Sequence, residues 1–201
     1  MMPPSSWPDA SVPIILDASA VINLNGSGAA SVILSALRRD FIVPQDVYDE
    51  LKRGAPNGRR DFEALDDLIG EKIIRRQDIG AGSGLFETLT IGPSVLTLDD
   101  GEAATIALAF ELKGAAVIDE SKGRRLALQL ASGVPLLASV ELFCHPVVEN
   151  ALGGNLANAV FNALQQARMQ VLPSHHAWIV KLLGLERALL CHSLPRSIRQ
   201  L

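Results

Sequence analysis

The chain has 201 residues, 48% hydrophobic but only 4% aromatic, enough for one sizeable core and hardly enough for two full domains. The surplus is Ala, Leu, Ile and Val, and small aliphatic residues suit helices packed on a parallel sheet. The formal net charge of −4 excludes a bulk basic protein, so any contact with nucleic acid has to come from local patches.

Residues 1–12 are rich in Pro and Ser and read as a flexible N-terminal tail, not a signal peptide. Ile14-Ile15-Leu16 is a short apolar strand running into Asp17, and Ala18 to Leu24 starts a helix. Asn25-Gly26-Ser27-Gly28 interrupts it, and Ala29 to Leu37 resumes helical spacing. Phe41-Ile42-Val43 is a second strand; Pro44 suits the first turn of a helix, which runs over Gln45 to Lys52 and stops at Gly54. Phe62, Leu65, Leu68 and Ile69 mark an amphipathic helix in the charged stretch from Pro56 to Arg76, and Ile73-Ile74 a short strand. Gln77 to Leu98, rich in Gly, Ser and Thr, reads as a long loop.

Glu102 to Leu112 is the clearest helix, with Asp99 or Asp100 as its cap and Gly114 closing it. Ala115 to Ile118 is a strand running into Asp119, followed by helix Ser121 to Leu130 and strand Val134 to Leu137. Ser139 to Val148 is helical up to Pro146, Asn155 to Met169 is a helix, and His176 to Leu190 is the last one. The sum is one three-layer α/β/α sandwich with a central, mostly parallel sheet over residues 13–190, and a C-terminal tail over 191–201. Cys144 and Cys191 lack metal-finger spacing, and no disulfide framework is expected, which suits a cytoplasmic protein. No uncharged apolar run nears the roughly 18 residues of a membrane span, so no membrane partner is expected.

Two strands that end in aspartate place carboxylates on the rim where open α/β sheets bind ligands. The helix carrying Glu102 precedes the second of these strands and runs antiparallel to it, so its first turn lies over the same rim. Glu50 follows the Phe41 strand and reaches the rim only if tertiary packing brings it there. Gathered carboxylates repel one another and need a cation. An all-oxygen donor set suits magnesium or manganese, which points to phosphoryl chemistry.

Four segments also resemble a known family. Leu16-Asp17-Ala18-Ser19-Ala20-Val21-Ile22-Asn23-Leu24 is similar to the opening motif of PIN-domain ribonucleases. Val43-Pro44-Gln45-Asp46-Val47-Tyr48-Asp49-Glu50-Leu51 resembles their second motif, and Leu98-Asp99-Asp100-Gly101-Glu102-Ala103-Ala104 the third, in a subfamily where Gly-Glu-Ala carries the acid. Val117-Ile118-Asp119-Glu120 with Arg124-Arg125 resembles the fourth. The resemblance implies a magnesium- or manganese-dependent endoribonuclease with Asp17, Glu50, Glu102 and Asp119 as catalytic, metal-binding acids, and Ser19 supporting the first by hydrogen bonding. Many such relatives are VapC-type toxins of toxin–antitoxin pairs, which cut RNA, are blocked by a small antitoxin and commonly form homodimers. The third acid here is Glu where much of that family has Asp, and the chain is longer than a typical toxin of this type.

Lys52 with Arg53, and Arg124 with Arg125, adjoin two of the acids and are expected to grip RNA phosphates. Glu120 is expected to point away and pair with Arg124 or Arg125. Two further readings are a catalytically idle PIN-like module binding RNA or protein, and a small-molecule enzyme using Gly80-Ala81-Gly82-Ser83-Gly84 for a nucleotide. That glycine run lacks the ending of a P-loop. His175-His176 and Cys144-His145 lack the spacing of a zinc site and read as surface or helix-cap residues.

Overall fold

The computed structural model describes residues 7–54, 60–80 and 84–195. Five strands, β1 (Ile14–Leu16), β2 (Phe41–Pro44), β3 (Ile74–Gln77), β4 (Ala115–Val117) and β5 (Leu136–Leu137), form one sheet in the order β3-β2-β1-β4-β5. Every pairing is parallel. The α/β/α sandwich expected from the strand–helix alternation is thus the observed fold. Pro44 belongs to β2, opposite Gln77, instead of opening the next helix.

Alternate residues of each strand feed opposite faces of the sheet, as a pleated strand requires. Ile14, Leu16, Phe41, Val43 and Val117 enter one core. There they meet α1 (Ala18–Gly26), α2 (Ala30–Leu37), α3 (Gln45–Gly54), α4 (Asp61–Gly70) and the C-terminal helices α8 (Ser139–Phe143), α9 (Pro146–Leu152), α10 (Leu156–Gln166), α11 (His176–Leu183) and α12 (Leu185–Leu189). Ile15, Ile42, Ala116 and Ile118 enter the other, under α5 (Gly84–Thr90), α6 (Asp100–Glu111) and α7 (Ser121–Leu130).

Three expectations change. The long loop contains α5. Its seven residues carry one fully buried side chain, Leu89, and the threonine hydroxyls of Thr88 and Thr90 bond back to the carbonyls of Gly84 and Phe86. The pattern is too weak to read locally; the seat of Leu89 in the core fixes the helix. The last helix breaks at Gly184, whose φ of 74° lies in the left-handed region. The tails are partly anchored. Trp7 packs edge-on to His145, and Arg39 donates to the carbonyls of Pro8, Asp9 and Val12. Cys191 and Leu194 are buried in the first core. The rest of both expected tails, residues 1–6 and 196–201, lies outside the described residues, as do 55–59 and 81–83.

Among the described residues no single helix is long and apolar enough to cross a membrane. Both cysteines are free thiols.

Candidate active site

The strand order reverses between β1 and β4, whose helical connections depart to opposite faces. A crevice opens at such a switch point beyond the carboxyl ends of the strands. Leu16 sits opposite Val117, so Asp17 and Asp119 leave the sheet within a residue of the same level. The pocket there is lined by Asp17, Ser19, Asn23, Glu50, Asp99, Glu102, Asp119 and Glu120, together with Arg168 and Gln170. All four acids singled out in the sequence therefore share one pocket, brought by four different elements or their ends.

Each acid is held in its own way. Asp17 caps α1: its Oδ1 accepts from the Ala18 N–H at 2.6 Å, and its Oδ2 from the Ser19 hydroxyl at 2.7 Å. Asp119 accepts from the backbone N–H and the hydroxyl of Ser139 at 2.7 and 2.6 Å, and from the Asn23 side-chain amide at 2.7 Å. Glu102 stands in the first turn of α6, and its own N–H donates to the Asp99 cap at 2.9 Å. Asp99, not Asp100, is the cap. Glu50 lies on the exposed side of α3 and reaches over α6.

Two glycines make room for two of the acids. A Cβ on Gly101 would stand 2.5 Å from Glu50 Oε2, and one on Gly123 would stand 2.6 Å from Glu102 Oε1. Both separations are far below ordinary contact. The bare Cα of Gly101 lets the α3 glutamate lie across the start of α6. That of Gly123 lets the Glu102 carboxylate lie against α7.

The electrostatics are those of buried carboxyls whose ionised form is disfavoured. Asp17 is 4% exposed and Glu102 6%. Burial, opposed by the Ser19 and Ala18 hydrogen bonds, raises Asp17 to about 7. Burial and then the neighbouring Asp17 raise Glu102 to about 8. Burial also raises Asp119, against the pull of Ser139 and Arg124. Glu102 Oε1 is buried with no hydrogen-bond partner. A buried carboxylate oxygen left unpaired is costly, and a hard cation with oxygen ligands is the group that would satisfy it. Asp17, Glu102 and Asp119, with Glu50, are the residues that would hold such an ion. The side chains share the pocket without closing on one point: among the described residues, no three His, Cys, Asp or Glu groups stand at the spacing of a formed metal site. Like charges separate until a cation bridges them.

The expected phosphate contacts are redistributed. Ser19 lines the pocket, whereas Lys52, Arg124 and Arg125 do not. Arg124 donates through Nη1 to the carbonyls of Ile118 and Leu137, both at 2.9 Å. It ties the ends of β4 and β5 together and steadies the base of Asp119, instead of being presented to a phosphate. Arg125 reaches toward the Val95 carbonyl. Glu120 faces the pocket, contrary to its expected pairing with these arginines. The glycine run follows β3 and leads into α5, but the Gly80 N–H is taken by the Glu111 carboxylate at 3.0 Å. That donor is committed, and residues 81–83 of the run lie outside the described residues. His145 caps α9 through the Val147 N–H, in line with the helix-cap reading.

Sequence reasoning passed over Asn23, Ser139, Arg168 and Gln170. Asn23 had a signal: a buried amide in an otherwise apolar helical run, on the helix that Asp17 caps. Ser139 and the Arg168 turn join the pocket from far along the chain, and nothing local marks them.

A protein with this sheet order and a carboxylate pocket at its switch point has the architecture of a nuclease-type α/β fold. The family model described as DUF3368, PIN domain, matches residues 13–184, and the chain belongs to this PIN-domain family. The chain matches no curated protein and no solved structure.

Proposed function

We propose that this PIN domain is a magnesium- or manganese-dependent endoribonuclease that hydrolyses RNA phosphodiesters. The observation that carries the reading is the convergence of Asp17, Glu50, Glu102 and Asp119 on one pocket, with an unpartnered buried oxygen on Glu102. When bound, a divalent cation would supply water activation and neutralise charge on the phosphate. The chain's own residues do the rest. Ser19 and the Ala18 N–H hold Asp17, Ser139 and Asn23 hold Asp119, and the Gly123 gap holds Glu102, so the acids are oriented before substrate arrives. The narrower role, a VapC-type toxin acting in the cytoplasm, blocked by a small antitoxin and paired as a homodimer, rests on the resemblance of the four motifs.

The test is cleavage of a mixed RNA pool with manganese by the wild type and by Glu102→Gln, which keeps the shape and has no Oε1 partner to lose. Cleavage by the wild type alone supports the nuclease. The spread of the acids favours one competing reading, an idle PIN-like module that binds RNA or a protein. Absence of cleavage by either protein, together with no heat of manganese binding by calorimetry, would establish that reading instead.

A further inference from the structure

The acid pocket does not end at Arg168 and Gln170. Both residues also line a second, larger cleft of about 740 Å³ between α10, α11 and the C-terminal segment, bordered by His176, His192 and Ser193. The two cavities share Arg168 and Gln170 as a common wall. The first is lined largely by acids, and the second has no acid in its lining.

Arg168 stands at the junction for a definable reason. It follows the C-cap Ala167 of α10 and has φ of 57°, the left-handed position usually given to Gly or Asn. The Met169 N–H closes the turn on the Ala163 carbonyl at 3.1 Å, and Met169 is buried in the core. The turn is fastened to the site as well: a Cβ on Gly26 would stand 2.9 Å from Ala167 Cβ, so α1, which Asp17 caps, packs directly on it. An arginine is thus held at a glycine position, beside a set of acids. Among the described residues it makes no hydrogen bond and no ion pair. Other arginines are committed: Arg75 to Asp40, Arg124 to carbonyls, Arg76 and Arg187 to aromatic rings.

We propose that Arg168, with Gln170, grips the phosphate next to the scissile one, and that the His176–His192 cleft takes the continuing strand of a single-stranded RNA. A guanidinium offers a planar fork of donors that matches a phosphate, and the cleft beyond it, with His176 steadied by the Val171 carbonyl at 3.2 Å, has polar walls along which a sugar and base can lie. A substrate running through both cavities is held on two sides of the cut.

The inference rests on the nuclease reading, and its test separates the two. Binding of a short 2′-O-methyl oligoribonucleotide, which resists cleavage, is followed by fluorescence anisotropy at several salt concentrations with magnesium present. Arg168→Gly removes the charge and suits the left-handed backbone, so its melting temperature should rise while affinity falls about tenfold. Its salt slope should flatten by about 0.7, the share of one phosphate contact on a single strand. Arg168→Lys should keep most of the slope. Gln170→Glu and His192→Glu, both exposed, should weaken binding; His192→Glu, outside the acid pocket, should retain the wild type's stabilisation by manganese, and Arg168→Gly, which removes a positive charge from that pocket, should not lose it. Unchanged affinity and slope in Arg168→Gly, in a protein whose wild type binds and cleaves RNA, overturns the inference and leaves the nuclease standing. A wild type that neither binds the oligonucleotide nor gains stability from manganese overturns both.

Discussion

Replacing Asp17 by Asn should make the chelated protein more stable, and more so at higher pH. Asp17 is raised from 3.8 to about 7 in the fold, chiefly by burial. Below about pH 4 folded and unfolded chains both carry the proton, and the carboxyl costs nothing. As pH rises toward 7 the unfolded chain loses its proton first, the folded one binds more protons, and folding stability falls. Each pKa unit is worth about 1.4 kcal/mol, so by pH 7.5 Asp17 costs the metal-free fold up to roughly 4 kcal/mol, and under half of that at pH 5. Asn keeps an oxygen for the Ala18 N–H cap while removing the charge. In a chain of this size 1 kcal/mol moves the melting temperature by about 2–4 °C. The variant should therefore melt several degrees above the wild type at pH 7.5 in chelator, with the gap narrowing toward pH 5. Manganese should stabilise the wild type and not the variant. Differential scanning fluorimetry across pH, with chelator and with manganese, reads all of this. A variant that melts lower at pH 7.5 and responds fully to manganese would show that Asp17 is a structural cap, and the reasoning would fail.

Three other outcomes follow from the packing. Gly123→Ala should push Glu102 off its seat, because the new Cβ would stand 2.6 Å from Oε1; calorimetry should show weaker manganese binding, with the far-UV circular dichroism unchanged. Asn23→Ala removes one donor from Asp119 and should cost about 1–3 kcal/mol in urea unfolding and lower RNA cleavage; equal loss from a change at exposed Gln45 would argue against a specific role. Arg39→Ala should release residues 7–12, whose carbonyls it holds. Trp7 should then become more solvent-exposed in fluorescence, proteases should cut there early, and the manganese response should stay as it was.

The family match covers residues 13–184, and the features that define it are largely local ones. Short apolar runs between helical segments dictate a parallel sheet buried on both faces, because such strands have no polar side to turn to water. Asp17 and Asp119 are legible for the same reason: each directly follows an apolar run, and a parallel strand delivers its last residue to the rim. Glu102 is legible because a helix leading into a strand returns its first turn to that rim. The α5 helix is not legible, since one buried leucine in seven residues leaves no periodicity to read.

Side-chain placement across the pocket belongs to the tertiary structure. The sequence by itself determined the order of strands and helices and the acids that end them, through hydrophobic pattern and chain direction, which act over a few residues. Only packing decided that Glu50 comes inward, because that depends on Gly101 lacking a side chain. Only packing turned Arg124 to the carbonyls of the sheet, where two strand ends meet, and set Arg168 in the wall of the acid pocket, next to the close contact of Gly26 with Ala167. Those outcomes depend on surfaces far apart in the chain, and no local spacing carries a record of which surfaces will touch.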